Sequence, residues 1–172
     1  MSDSEAQRQP PYRIRPARAE DVPRLAEIEE TAFDPAIYGG FLMDARAFRR
    51  QVGTRNFLLV AERNIPGGEV AGYALGLVRR NSPYVRFVSL AVLPEHGGRG
   101  AAWRLFDGIE QAARDNGYRG VRLEIREDNS RLVARYQRSG YREFARVPDY
   151  YSDGAAAIRM VKDFDPSDRA PK

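Results

Sequence analysis

Hydrophobic side chains recur along this chain at two spacings, and the changes between them divide it into elements. Tyr12 and Ile14 alternate with Arg13 and Arg15 as a first short strand. Val22, Leu25, Ile28 and Ala32 then fall at three- and four-residue intervals, one face of a helix, with Asp21 placed to cap it. A second short helix is predicted over 43–51. From Asn56 the pattern turns to strands at 57–62, 69–78 and 85–93, with a turn at 64–68 between the first two, which makes an antiparallel meander. Ala102, Leu105, Phe106, Ile109 and Ala113 line one face of a long helix stopped by Asn116 and Gly117. A strand at 121–126 follows. Asn129 can cap a helix running to Gln137, Gly140 ends it, and 141–146 and 157–161 return to strand. The order predicts mixed α/β structure around one central sheet, with no internal repeat. Residues 1–11 lack a period and end in two prolines, so they read as a disordered arm before a single domain at 12–164 and a flexible tail at 165–172.

Composition narrows what such a domain does. A chain of 172 residues can bury a core without disulfides or a structural metal. With no cysteine and a single histidine, neither a disulfide framework nor a thiolate nucleophile is available, and a zinc site would have to rest on carboxylates, so no metal is expected. The start is polar and acidic, and no run of about 18 apolar residues occurs, which predicts a cytoplasmic protein with no membrane partner. The net charge of +4 comes from 28 basic and 24 acidic side chains scattered through every segment. Only two of the basic residues are lysines, so the aromatic and lysine face of an RNA-binding sheet is missing and nucleic acid is not an expected partner. Scattered arginines suit a polyphosphate ligand better.

The stretch from Ser89 to Phe106 carries the strongest chemical signal. An apolar strand passes through Pro94, Glu95, His96, Gly97, Gly98, Arg99 and Gly100 directly into an amphipathic helix. Free N–H groups at a helix start, approached closely where glycine has no Cβ, suit a pyrophosphate, and Arg99 adds a charged donor. A merely structural turn would look the same. No lysine followed by serine or threonine comes after the glycines, so the stretch is not a P-loop.

Val92, Pro94, Gly98, Gly100 and Ala102 stand as in the CoA-binding motif of the GNAT acetyltransferases, and the chain resembles that family. Gly97 occupies the place of the motif's arginine or glutamine, which removes a side chain but keeps an N–H. Leu123, Glu124, Ile125, Arg126 and Glu127, then Asn129, Tyr136, Gly140 and Tyr141, resemble the second half of such a site, and more narrowly that of the RimI-type ribosomal-protein N-terminal acetyltransferases. Tyr150, Tyr151, Asp153, Gly154 and Met160 are similar to the tail of the same subgroup. The resemblance covers about residues 12–164. It implies the GNAT fold, a mostly antiparallel mixed sheet with helices on both faces, whose parallel strands ending at Leu93 and Arg126 splay to admit acetyl-CoA. It further implies an acetyl-CoA-dependent N-acetyltransferase without a metal. CoA would be held by Ala91, Val92, Leu93, Gly97, Gly98, Arg99, Gly100, Ala101, Ala102, Asn129 and Tyr136, with the N–H of Val92 or Leu93 facing the thioester oxygen.

Residue types are consistent with that chemistry. A peptide α-amine of pKa roughly 7.7 to 8.0 must lose a proton to attack a thioester, and a thiolate whose parent acid has a pKa of roughly 8.5 must gain one. Glu124 points away from the face of Leu123 and Ile125, as a strand requires, and is either a base or a solvent-facing glutamate. The resemblance makes it the general base. Tyr136, on the apolar face of its helix with Leu132, is either a core tyrosine or the proton donor to the leaving thiolate. Phe33, Tyr38, Tyr150 and Tyr151 either wall an acceptor slot or close a small core. His96 reads as an exposed loop residue, and Trp103 as a packing residue between helices. The acceptor implied is a protein or peptide N-terminal amine, with a polyamine or aminoglycoside as the alternative, for a monomer or homodimer. Gly97, Ala155 and Ala156, the two alanines standing where RimI-type relatives carry glutamate and aspartate, keep a non-catalytic acyl-CoA sensor in view.

Overall fold

Both hydrophobic spacings resolve into one seven-stranded sheet. In the computed structural model, which describes residues 11–171, the strands are β1 (Tyr12–Pro16), β2 (Phe57–Arg63), β3 (Val70–Leu77), β4 (Tyr84–Val92), β5 (Gly120–Arg126), β6 (Arg142–Val147) and β7 (Ala157–Asp163). They lie in the order β1-β2-β3-β4-β5-β7-β6, antiparallel throughout except for β4 beside β5. The helices are α1 (Val22–Ala32), α2 (Pro35–Tyr38), α3 (Ala45–Arg49), α4 (Ala101–Asp115) and α5 (Ser130–Arg138). Among the described residues no helix is long and apolar enough to cross a membrane.

Strand alternation sorts the core into two layers. Leu59, Ala61, Ala74, Val85, Phe87, Val121, Leu123 and Ile125 face α4, whose buried stripe is Leu105, Phe106, Ile109 and Ala113. Leu58, Val60, Tyr73, Leu75, Ala91 and Leu93 face the other way, onto Val22, Leu25 and Ile28 of α1 and Phe48 of α3. Each fully buried Leu or Ile contributes roughly 1.5–3 kcal/mol relative to exposure. These two layers are the reason the sheet's strands read as near-continuous apolar runs.

Several local expectations are corrected. The helix predicted over 43–51 is the shorter α3, capped by the Asp44 side chain, which accepts from Ala47 N–H at 2.7 Å. Residues 35–41, rich in proline and glycine, form the single turn α2 and a 3₁₀ turn at Gly39–Phe41 that the hydrophobic pattern does not show. Asp21 does not cap α1. Its carboxylate turns back to the Arg18 N–H at 2.7 Å and the Arg15 guanidinium at 2.8 Å, pinning the turn after β1. The arm at 1–10 lies outside the described residues, while the Pro11 carbonyl accepts from Asn64 N–H at 3.0 Å. Beyond Phe164, where a flexible tail is expected, Pro166–Asp168 forms a 3₁₀ turn and Ala170 N–H reaches the Arg114 carbonyl at 2.9 Å.

The Arg15 cluster predicts an acid sensitivity. Hydrogen bonds from Arg15 and then Arg13 hold the Glu62 carboxyl down at about 2, against an ordinary 4.5. The stabilisation is therefore fully present above about pH 4.5 and is lost as pH falls through about 2. The urea midpoint should fall between pH 7 and pH 2.5, and Glu62→Gln should lower the midpoint at pH 7 and shrink that fall.

Candidate active site

The sheet opens where its one parallel pair parts. β4 and β5 are in register only from Tyr84 opposite Gly120 to Phe87 opposite Leu123. Beyond Phe87 the strands separate, and a cleft of about 420 Å³ runs between them, from the α1 face of the sheet toward α5. Val88, Ser89 and Leu90 of β4, Glu124, Ile125 and Arg126 of β5, and Asn129, Leu132 and Tyr136 beside and on α5 line it.

Glu124 and Tyr136, the residues expected to move protons, both reach this cleft. Glu124 lies on the strand face opposite Leu123 and Ile125, its side chain 13% exposed. Arg86 Nε donates to its Oε2 at 3.2 Å, and Arg159 Nε stands 3.5 Å from Oε1. Tyr136 is buried among Trp103, Phe106 and Tyr141, and burial pushes its phenol up to about 12. Asn129 is a true cap, accepting from Leu132 N–H at 3.2 Å. Trp103 packs between α4 and α5 with the Arg135 guanidinium 3.3 Å above its ring.

The aromatic residues 33, 38, 150 and 151 come together as one wall. Phe33 meets Tyr38, Tyr38 meets Tyr151, and Tyr151 meets Tyr150, at ring separations of 5.2, 5.9 and 5.1 Å. Phe41, which sequence reasoning missed, stacks on Tyr150 at 5.4 Å and fills the outer end. The loop bearing the tyrosines is fastened through Ala155, whose carbonyl accepts from both Tyr150 and Tyr151 N–H groups. Those bonds are to backbone, so an alanine there serves as well as a larger residue. Arg126 secures the same loop by pairing with Asp153 at 2.8 Å and lying over the Tyr151 ring.

The glycine loop lies past the end of the cleft lining. Gly98 has φ +70° and Gly100, which precedes α4, φ +85°, both in the left-handed region that glycine favours. No side chain caps α4 and no acidic residue stands in its first turn, so the N–H groups of Ala101, Ala102 and Trp103 face outward unsatisfied by the helix. That cradle fits a pyrophosphate. Ala101 and Ala91 bury their methyl groups in the core, so each can offer a ligand only backbone. Gly97 differs from expectation, because its N–H is taken by the Pro94 carbonyl at 3.0 Å. Leu93 N–H is likewise spent on the Ala71 carbonyl at 2.9 Å. Alternation then turns the N–H of Val92 toward the parted edge of β4.

His96 is corrected outright. It is 5% exposed, Tyr12 Oη lies 3.0 Å from its Nδ1, and Nε2 stands 3.4 Å from Glu69. It wedges the loop's base against β1 and β3.

A strand pair parting beside a glycine-cradled, uncapped helix is the structural counterpart of the family resemblance, and the model of the acetyltransferase (GNAT) family matches residues 20–141. The chain belongs to the GNAT acetyltransferase family. The N-alpha-acetyltransferase RimI of Mycobacterium tuberculosis is 32% identical over 151 residues, covering 86% of this chain and 90% of that one. The GNAT fold is shared with the ribosomal-protein-alanine N-acetyltransferase of Brucella melitensis, at TM-score 0.74 and 22% identity over 88% and 99% of the two chains. A phosphinothricin acetyltransferase from Sinorhizobium meliloti in complex with AcCoA superposes at TM-score 0.72 and 20% identity, covering 90% of this chain and 89% of that one. This GNAT protein is thus an acetyl-CoA-dependent N-acetyltransferase.

One further cluster of the GNAT cleft was not legible in the sequence. Glu29 of α1 is buried at the α1 end of the cleft, where Tyr73 Oη donates to it, Met43 N–H donates at 3.0 Å, and Ser89 Oγ lies 2.8 Å from the same tyrosine oxygen. Burial pushes its carboxyl up, partly opposed by those two hydrogen bonds. The arrangement ties α1, β3, β4 and the loop at 42–44 into one frame around the cleft.

Proposed function

We propose that this enzyme acetylates the α-amine of a protein or peptide N-terminus, with Glu124 as general base and Tyr136 as general acid. The observation that carries the reading is that both side chains line one cleft where β4 and β5 part. The 32% identity to an N-alpha-acetyltransferase supports the class of acceptor.

In this reading CoA lays its pyrophosphate on the N–H groups of residues 98–102, beside Arg99, and passes its pantetheine arm between the strands. The thioester oxygen meets the Val92 N–H, an oxyanion donor that requires no rearrangement. The acceptor enters from the α1 face, along the single wall that Phe33, Tyr38, Phe41, Tyr150 and Tyr151 form together. Glu124 takes the ammonium proton directly or through one water. The amine nitrogen attacks the thioester carbon, the C–S bond breaks, and Tyr136 protonates the departing sulfur. The dry surroundings that keep Tyr136 protonated also disfavour a bare thiolate beside it, so burial raises the proton affinity of both partners. The attacking nitrogen sheds its second proton to solvent as the tetrahedral adduct collapses, the amide and CoA–SH leave, one proton returns through solvent to the tyrosine, and the other is released by Glu124 to solvent.

A mass-spectrometric screen tests the acceptor, using peptides with a free N-terminus, peptides whose only amine is lysine, and a panel of small amines. Acetylation of the first set alone is expected; acetylation of small amines alone sinks the reading. On the best peptide, replacing Tyr150 and Tyr151 together with alanine should raise the acceptor KM about tenfold or more and leave acetyl-CoA affinity nearly unchanged. Collapse of CoA binding with an unchanged acceptor KM would put the slot on the wrong side of the sheet.

A further inference from the structure

The α1 face of the sheet is covered unevenly, and its bare part carries an unbalanced charge. α1 and α3 pack over the β3 and β4 side. Beyond them, strand register sets Arg86 directly beside Arg122, and Glu124 directly opposite Arg159. Two guanidiniums therefore flank one carboxylate, and a third, that of Arg122, stands beside Arg86. Arg86 and Arg159 both reach Glu124, at 3.2 and 3.5 Å, yet their side chains remain 37% and 40% exposed. Arg122 is exposed, lies 4.0 Å over the Tyr84 ring and 5.2 Å over that of Phe144, and makes no ion pair among the described residues. Like charges in register on neighbouring strands are destabilising, and here Arg86 is balanced by Glu124 while Arg122 has ring contacts but no carboxylate among the described residues.

Other cations nearby are already neutralised. Arg126 holds Asp128 and Asp153, Arg146 holds Glu127, and Arg142 holds Asp163. The surplus thus borders the cleft, Arg86 lining it and Arg122 and Arg159 standing beside Arg86 and Glu124 on the neighbouring strands, too short a patch to track a nucleic-acid backbone but well matched to one or two carboxylates.

We infer that Arg86, Arg122 and Arg159 form a specificity site for an acidic side chain in the acceptor, close behind the reacting amine. The inference rests on the N-terminal reading above. The amine must reach Glu124, and an extended chain advances about 3.3–3.6 Å per residue, which puts the second or third side chain of the acceptor over the arginines. Glu124 then meets the ammonium while the guanidiniums meet a carboxylate, each opposite charge in its own place.

The test compares three peptides that share a free N-terminal alanine and differ only at the second and third residues, as Glu-Glu, Gln-Gln or Lys-Lys. In the wild type kcat/KM should be about tenfold higher for the acidic peptide than for the amide one, and that ratio should shrink as salt is raised. Arg122→Gln should bring the ratio to about 2 or below, and Arg122→Glu should favour the lysine peptide, on the scale expected for an exposed charged contact. Because each result is a ratio on one variant, a general loss of rate does not imitate it. Equal rates for all three wild-type peptides overturn the inference and leave the N-terminal reading standing. A ratio unchanged in both Arg122 variants, or a flat ratio with RNA competing against peptide, also overturns it. Failure to acetylate any of the peptides, with small amines accepted, removes both.

Discussion

Gly100→Asp should weaken acetyl-CoA binding on the order of 100-fold or more in a protein that still folds. Gly100 holds φ +85° immediately before α4, with open space where a Cβ would stand. A side chain there faces no clash, and the cost of the left-handed backbone is roughly 1–2 kcal/mol. A carboxylate before a helix otherwise lacking a side-chain cap also gains from the helix dipole, so stability should change little. Affinity moves the other way. A charge some 4 Å from a bound phosphate costs roughly 4 kcal/mol per unit charge at an effective dielectric of about 20, before screening. Gly100→Asn, close in shape and tolerant of the same backbone, separates the terms and should bind much more tightly than Gly100→Asp by calorimetry. Equal affinity of the wild type and Gly100→Asp would put the phosphates elsewhere.

Tyr136→Phe should lower kcat by a factor of about 10² to 10⁴ with acetyl-CoA affinity retained, because only a hydroxyl leaves a ring held by Phe106, Trp103 and Tyr141. Burial pushes that phenol up to about 12, so its proton is in place throughout the working range and no fall in wild-type kcat from its loss is expected below about pH 10. Glu124→Gln should show a different profile. Its loss in kcat/KM is expected to be largest at low pH and to recover in part as the α-amine deprotonates near pH 8. A wild-type chemical rate for Tyr136→Phe in single-turnover measurements would make the tyrosine a packing residue.

What the sequence disclosed depended on how far away each residue's partners lie. The meander at 57–93 and the long helix after Gly100 were legible because strand alternation, helical spacing and the glycine punctuation are all local signals. Parity alone put Glu124 on the face opposite Leu123 and Ile125, and the family resemblance was needed to choose between a base and a solvent-facing glutamate. His96 was misread because its burial comes from Tyr12, 84 positions away, crossing over it. Asp21 has the residue type of a cap, but Arg15 competes for it across the turn, and the ion pair prevails. Phe41 joins the site through a proline- and glycine-broken loop whose path no periodicity encodes, and Glu29 of α1 takes its place there from Met43 and Tyr73, 14 and 44 positions away. The exchange of β6 and β7 in strand order is likewise a matter of long-range pairing.

The short register between β4 and β5 has a mechanical meaning. Four residue pairs, at one end only, stitch a four-stranded half of the sheet to a three-stranded half. The molecule resembles a hinged book whose spine is sewn over part of its height, and in the proposed binding mode a pantetheine arm laid in the open part supplies amide rungs that the two pages do not give each other. Folding stability thereby becomes a gauge of saturation, rising by RT ln(1 + [L]/Kd), about 2.7 kcal/mol at a ligand concentration 100 times Kd. Mutations that loosen the spine are expected to lower the melting temperature of the free protein, and saturating acetyl-CoA is expected to restore part of the loss.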